Sequence, residues 1–229
     1  RHGRIGQAGV GMPQLPQPRS VEDECRKAHL RLYRDAVLES GQNAGNQGQS
    51  PPSLMNYAEI KWTDIANGEG VRISLFVSGC THHCKNCFNQ IAWDFHYGHP
   101  FDEIIEEKIL RELGKPYIAG LSLLGGEPLE PQNQEALLPF VKAVKKKYPE
   151  KDIWCYTGYT WNPVSGELAE EQKNTPATKE LIALFDVLVD GPFVEELKKI
   201  TLKFRGSSNQ RVLDVKKSLS EKRPVLYLD

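Results

Sequence analysis

Three cysteines fall within eight residues, Cys80-Thr-His-His-Cys84-Lys-Asn-Cys87. The spacing is C-x3-C-x2-C, with no fourth cysteine close by. Three thiolates can hold three corners of a 4Fe–4S cubane. The fourth iron then lacks a protein ligand and is open to a substrate or cofactor. Two other readings compete: zinc bound by the three thiolates with His82 or His83, and unliganded thiols in a reducing compartment. A structural zinc closes a shell of four ligands, usually drawn as pairs from two separate segments. No second cysteine pair exists here, so the spacing favours the cluster.

These residues must be held by regular elements. Residues 71–77 alternate and are rich in β-formers, which predicts a strand running directly into the cysteine loop. Asp102 is the expected cap of a helix to Leu113, with Ile104, Ile105, Ile109 and Leu113 on its apolar stripe and Gly114 as its stop. Residues 118–124 predict a second strand, which ends in Gly125-Gly126-Glu127-Pro128. Asn133 is the expected cap of the next helix. Leu137, Leu138, Val141, Val144 and Tyr148 would face inward, and Lys142, Lys145, Lys146 and Lys147 would form a solvated face. Strands are predicted at 152–156, turning at Thr157-Gly158, and at 187–190, stopped by Gly191-Pro192, with a helix over 178–185 between them. Residues 224–228 admit a late strand.

The alternation of strands and helices implies an α/β fold with a parallel sheet and crossover helices. Ligands of such sheets collect at the carboxyl ends of the strands. The cysteine loop, Gly-Gly-Glu, Thr-Gly and Asp190-Gly191-Pro192 all lie at those ends. Gly-Gly-Glu-Pro alone would be an ordinary strand-to-helix turn. Its place one βα unit after the cysteines makes it a site candidate. Thr157 and Gly158 suit a carboxylate or a ribose, or form a plain turn. Asp190 could bond a ribose or cap the following turn.

Composition bounds the rest. The chain has 229 residues, five cysteines and a formal net charge of -1, with both signs spread along it. No basic face points to nucleic acid, and no run is long and apolar enough to span a bilayer. No apolar signal core follows the first residues, so a cytoplasmic location is expected. Residues 1–54 are rich in Gly, Pro and Gln at both ends, with a patchy helical stretch over 21–38. They read as a disordered appendage, a linker or a stretch upstream of the true start at Met55, and Cys25 within them as incidental. Residues 55–229 form the patterned domain. Cys155 reads as a buried small apolar residue.

The cysteine motif followed by Gly125-Gly126-Glu127-Pro128 resembles the radical S-adenosylmethionine superfamily. Asn67 to Arg72, Leu75 to Cys80, Cys87-Phe88-Asn89, Trp154 to Tyr159, Asp186 to Phe193 and Arg205 to Arg211 resemble the glycyl-radical activases of anaerobic ribonucleoside-triphosphate reductase. The likeness runs from Met55 to about Asp214. Asn86 departs from the superfamily, where an aromatic residue often precedes the last cysteine. Here Phe88 follows it instead, which bears on how the adenine side is packed.

The resemblance implies a partial, open β/α barrel. It implies one 4Fe–4S cluster on Cys80, Cys84 and Cys87, whose open iron takes the methionyl group of S-adenosyl-L-methionine. Asn86, Cys87, Phe88, Gly125, Gly126, Glu127, Thr157 and Gly158 would line the cofactor. The glycines would admit its methionyl group and Glu127 would accept from its ammonium. His82 and His83 would shield or polarise the sulfurs. The reaction would be reductive cleavage of S-adenosyl-L-methionine, with a glycyl radical installed on the large subunit of the reductase. An electron donor such as a flavodoxin would serve it. Glu69 to Arg72 could admit the partner's loop, with Arg72 near the site or simply facing solvent. Residues 205–211 could contact the partner or close the barrel's end. The alternatives are an activase of the formate-lyase type, a small-molecule radical enzyme and, in a different class, a zinc-binding module without catalysis.

Overall fold

The computed structural model describes residues 55–228. The expectations for residues 1–54, including the helix over 21–38 and Cys25, lie outside the described residues. Among the described residues, nine strands run in chain order: β1 Asn56–Asp64, β2 Arg72–Val77, β3 His99–Pro100, β4 Gly120–Gly125, β5 Asp152–Tyr156, β6 Trp161–Asn162, β7 Glu167–Leu168, β8 Val187–Asp190 and β9 Arg211–Asp214. Four α-helices among the described residues accompany them: α1 Glu103–Leu113, α2 Pro131–Lys147, α3 Thr178–Ala183 and α4 Val215–Glu221.

Seven strands form one open sheet in the order β3-β1-β2-β4-β5-β8-β9. The four central strands are parallel, as the alternation implied. The edges are antiparallel: β1 on β2, β3 on β1, and β9 on β8. Side chains alternate between faces with period two. Ile73, Leu75, Val77, Leu121, Leu123, Ile153, Cys155 and Leu188 point to the main core, with Ile109 and Leu113 of α1 and Leu137, Val141 and Val144 of α2. Trp154, Val187, Val189 and Val212 form a second, smaller cluster with Tyr156 and Phe204. Among the described residues, α1 and α2 therefore pack on one face, and the smaller cluster lies on the other.

Several elements differ from expectation for local reasons. β1 and β9 are not among the predicted strands: β1 lies between β3 and β2 and its Ala58 to Thr63 alternates with period two, whereas β9 is a four-residue edge strand. α2 starts at Pro131, which needs no backbone donor in the first turn. Glu130 is its N-cap residue, and Asn133 sits inside the helix rather than capping it. The Asn133 amide donates to Ser78 O at 3.0 Å and Glu127 O at 2.9 Å, tying α2 to two rim loops. Asp102 does cap α1, accepting from Ile105 N–H. The buried stripe of α1 is Glu106, Ile109, Leu110 and Leu113, and Ile104 is 71 % exposed. Lys145 is not on a solvated face; it is largely buried, ion-paired with Asp186. The late strand is reduced to one bridge, Leu226 to Leu213.

Arg72 neither faces solvent nor approaches the cysteines. It is fully buried at the start of β2, the end of the sheet away from the cysteine loop. Its guanidinium bonds Asp152 Oδ1 (2.6 Å), Ser122 Oγ (2.8 Å) and Leu121 O (2.9 Å) and lies over the Trp154 ring. It closes the floor of the second face.

Glu106 is a buried acid on α1. Burial, with Glu103 and Asp102 near it, pushes its carboxyl up to about 8. The folded state therefore favours the protonated acid. Stability from this group is complete below the ordinary carboxylate range and is lost as pH rises towards 8. Glu106→Gln should stabilise the chain by about 2 kcal/mol at pH 8.5 and change little at pH 4. Urea unfolding at the two pH values measures this; an equal effect at both would remove the titration from the account.

Candidate active site

β2 ends at Val77, and the cysteine loop leaves and returns along a short backbone zipper. Gly79 N–H donates to Ala92 O (2.8 Å) and Cys80 N–H to Trp93 O (3.2 Å). Cys87 N–H donates to Cys84 O, which turns the loop back on itself. Asn86 takes a left-handed conformation, φ +57°, one that asparagine tolerates.

The next rim turn grips this loop. Gly126 N–H donates to Val77 O (2.7 Å) and Glu127 N–H to Gly79 O (2.8 Å). A Cβ on Gly126 would lie 2.6 Å from Gly79 O and 3.0 Å from both Ala92 O and Val77 O. Gly125 has φ +111°, and a Cβ there would lie 2.7 Å from Phe76 Cα. Gly125 is thus required by its left-handed backbone and the close approach of β2, and Gly126 by the close approach of the cysteine-loop backbone itself.

Glu127 joins three strand ends. It is almost fully buried. Its Oε2 accepts from Gly158 N–H at 2.7 Å and lies 2.8 Å from His82 Nε2, and its Oε1 accepts from Leu129 N–H at 2.8 Å. Burial alone would lower the His82 pKa, but the hydrogen bond and charge of Glu127, with Glu130 behind it, raise it. The His82 ring also lies 4.2 Å from that of Tyr159. Glu130 anchors the loop from below, accepting from Thr81 N–H, Tyr159 OH and Lys173 Nζ. Burial opposes its ionisation, but those hydrogen bonds hold the carboxyl below its usual range. His83 is turned away from that network, edge-on to Trp93.

A cleft of about 580 Å³ opens between these loops. Cys80, Cys84, Cys87, Asn86 and Phe88 line one side, and Gly125, Gly126, Glu127, Thr157 and Gly158 another. All ten sequence-selected residues therefore meet in one place. Thr157 Oγ1 accepts from Tyr159 N–H, and Thr157 N–H donates to Val189 O. Cys155, by contrast, lies in the core with no exposure.

The chemistry of the donor set fits a cluster. The four cysteines among the described residues are free thiols. Burial pushes the Cys80 thiol up to about 12, and burial with neighbouring Cys87 raises Cys84. Such thiols lose their protons on binding a metal centre. Among the described residues, no three His, Cys, Asp or Glu side chains gather closely enough to hold a single metal ion. A cubane takes each thiolate on a different iron, so it does not require the sulfurs to converge on one point.

Residues not assigned to the cofactor from the sequence also line the cleft, some of them within the blocks that carried the resemblance. Tyr156, Phe193, Leu202, Phe204, Arg205 and Gln210 also line it. The Tyr156 hydroxyl is buried without a partner among the described residues. Its place directly before Thr157, on the face opposite Cys155, was a further signal. Asp190 is not a cleft residue. It is fully buried, holding Arg211 and accepting from Trp161 N–H at 2.8 Å. The 205–211 block thus divides: Arg205, Gly206 and Gln210 reach the cleft, while Arg211 ties β9 to β8. No helix among the described residues is long and apolar enough to cross a membrane.

A family described as a 4Fe-4S single cluster domain matches residues 66–213. The anaerobic ribonucleoside-triphosphate reductase-activating protein of Pasteurella multocida (strain Pm70) is 48% identical over 158 residues, 68% of this chain and 95% of that protein. Its namesake from Haemophilus influenzae is 46% identical over 158 residues, 68% of this chain and 96% of that protein. The namesake from Enterobacteria phage T4 is 39% identical over 158 residues, 69% of this chain and 93% of that protein.

Proposed function

Because the chain belongs to the family of anaerobic ribonucleoside-triphosphate reductase-activating proteins, we propose that it is a radical S-adenosylmethionine enzyme that installs a glycyl radical on that reductase. The observation that carries the proposal is the single cleft shared by the three thiols, the Gly-Gly-Glu turn and the Thr-Gly turn. On this reading the open sheet is the partial β/α barrel of that enzyme class, with its site at the carboxyl ends of β2, β4 and β5.

Cys80, Cys84 and Cys87 would hold the cluster. When bound, it supplies an open iron position for the methionyl group and the electron that cleaves the sulfonium C–S bond. One electron from a donor and one S-adenosyl-L-methionine give methionine and, after a hydrogen atom leaves a partner glycine, 5′-deoxyadenosine. The chain's own residues bind, orient and exclude water. A carboxylate has about four acceptor positions. Glu127 commits three to Gly158, His82 and Leu129 and keeps capacity for the methionyl ammonium. The Gly125-Gly126 backbone would form one wall for the methionyl group. Asn86 and Phe88 would flank the adenine side, and Thr157 and Gly158 the ribose or carboxylate. A flavodoxin-type donor and a cytoplasmic, reducing location belong to the same proposal.

The relatives' names favour the reductase over a formate-lyase as target. The test is electron paramagnetic resonance of the reductase after anaerobic incubation with the reduced, cluster-loaded chain and S-adenosyl-L-methionine. A glycyl doublet is expected, and it should vanish when the partner's target glycine is alanine. A doublet on a formate-lyase but none on the reductase would transfer the function to that partner.

A further inference from the structure

Residues 197–208 form a small hairpin at one wall of the cleft. Lys198 pairs with Ser207 in an antiparallel bridge, and Ser208 N–H donates to Leu197 O at 3.0 Å. Gln210 Oε1 fixes its base, accepting from Gly206 N–H (2.9 Å) and Ser207 N–H (3.1 Å). The inner side is committed: Leu202, Phe204 and Arg205 line the cleft, and Phe204 packs edge-on against Trp154 at 5.1 Å. Lys85 of the cysteine loop reaches Glu196 just before the hairpin, at 3.5 Å.

Among the described residues, nothing covers the outer side. Ile200 at the tip is 96 % exposed, and Lys199 and Lys203 beside it are also exposed. Across the mouth, Phe88 is 87 % exposed, and Ile91 is exposed in the turn between cleft-lining Asn89 and Trp93. One exposed apolar residue is ordinary. Three of them, Ile91, Leu197 and Ile200, none of which lines the cleft, in the two segments that frame one opening, mark a surface that becomes covered. The hairpin is also basic in a chain of net charge -1: Lys198, Lys199, Lys203 and Arg205 stand against Glu195 and Glu196.

We propose that this hairpin is a docking ridge for the reductase, with Ile200 as its apolar anchor and Lys199 and Lys203 as its charged rim. The inference rests on the proposed function. If the atom to be attacked belongs to a macromolecule, its segment must enter the cleft, and the partner's surface on either side must lie on the framing segments. The hairpin then selects a partner surface with an apolar recess and acidic groups around it. Its inner side shapes the cleft while its outer side holds the partner, so docking and site assembly share one element.

The test uses the full chain and the purified reductase under anaerobic conditions. The variants are Ile200→Asp and the pair Lys199→Glu with Lys203→Glu. Both should weaken binding of the reductase by about tenfold or more and lower glycyl radical yield at limiting activase. The lysine pair should in addition flatten the salt dependence of binding. Iron loading and partner-free 5′-deoxyadenosine release should stay at the parent's level, since none of the three side chains lines the cleft. Parent-like reductase binding by both variants overturns the ridge, as does an Ile200→Asp effect confined to self-association of the chain. A parent that cleaves no S-adenosyl-L-methionine refutes the functional reading instead, a result distinct from either.

Discussion

Cys84→Ala should leave the chain folded and without its cluster. Cys84 is half-exposed at the cleft wall and packs little apolar surface, so its loss costs the fold little. As a ligand it is decisive. Changes one shell further out already lower metal affinity by about 10–100-fold. Loss of a direct thiolate should exceed that, leaving no stable cluster after anaerobic reconstitution and no 5′-deoxyadenosine. Cys80→Ala and Cys87→Ala should behave alike. Cys155→Ala is the control. Cys155 has no exposure and sits among core residues on the helix-covered face. Its replacement should cost about 1 kcal/mol through a small void and leave iron binding intact. Iron and sulfide analysis with the visible spectrum reads both results. Full loading in Cys84→Ala, or none in Cys155→Ala, would refute the assignment of ligands.

Gly126→Val should damage both the cluster and the chemistry, and the structure says why. The added side chain would not simply occupy ligand space. Its Cβ would meet Gly79 O at 2.6 Å, with Ala92 O and Val77 O close behind. All three are backbone atoms, so the cysteine loop must move. Gly126 N–H and Glu127 N–H would then lose their geometry with Val77 O and Gly79 O. We expect about 1–3 kcal/mol of destabilisation, incomplete iron loading, and cleavage lowered by about tenfold or more. Gly158→Ala should be milder. The nearest atoms to its Cβ would be those of the His82 ring, at 2.7 Å, a side chain that can swing aside while breaking its bond to Glu127. Normal iron loading in Gly126→Val with impaired cofactor binding alone would show that the turn contacts the ligand and does not brace the loop.

The sequence by itself determined whatever depends on short spacing. Three thiolates within eight residues define a ligand set wherever the chain goes. The parallel core strands β2, β4, β5 and β8 were legible because buried strands are short apolar runs bounded by turns. The ordering of those strands places every βα turn on one rim, which is why all ten selected residues line one cleft. β1, which lies between β3 and β2, does carry a period-two alternation over Ala58 to Thr63, whereas the edge strand β9 has only four residues, too few for a pattern to show.

Only the tertiary structure decided which groups share partners. Glu127 meets Gly158 and His82 across 31 and 45 residues of chain, and Arg72 meets Asp152 across 80. Asn133 reads as a helix cap and is instead a brace between loops, because the fold brings Ser78 O within reach of its amide. Residues 205–211, open from the sequence between contacting a partner and closing the barrel's end, belong in part to the hairpin of residues 197–208, which walls the cleft beside the paired β8 and β9. The physical reason is common to all of these. Periodicity and capping report the local backbone, whereas hydrogen-bond partners far apart in sequence are chosen by strand order, which no local pattern encodes.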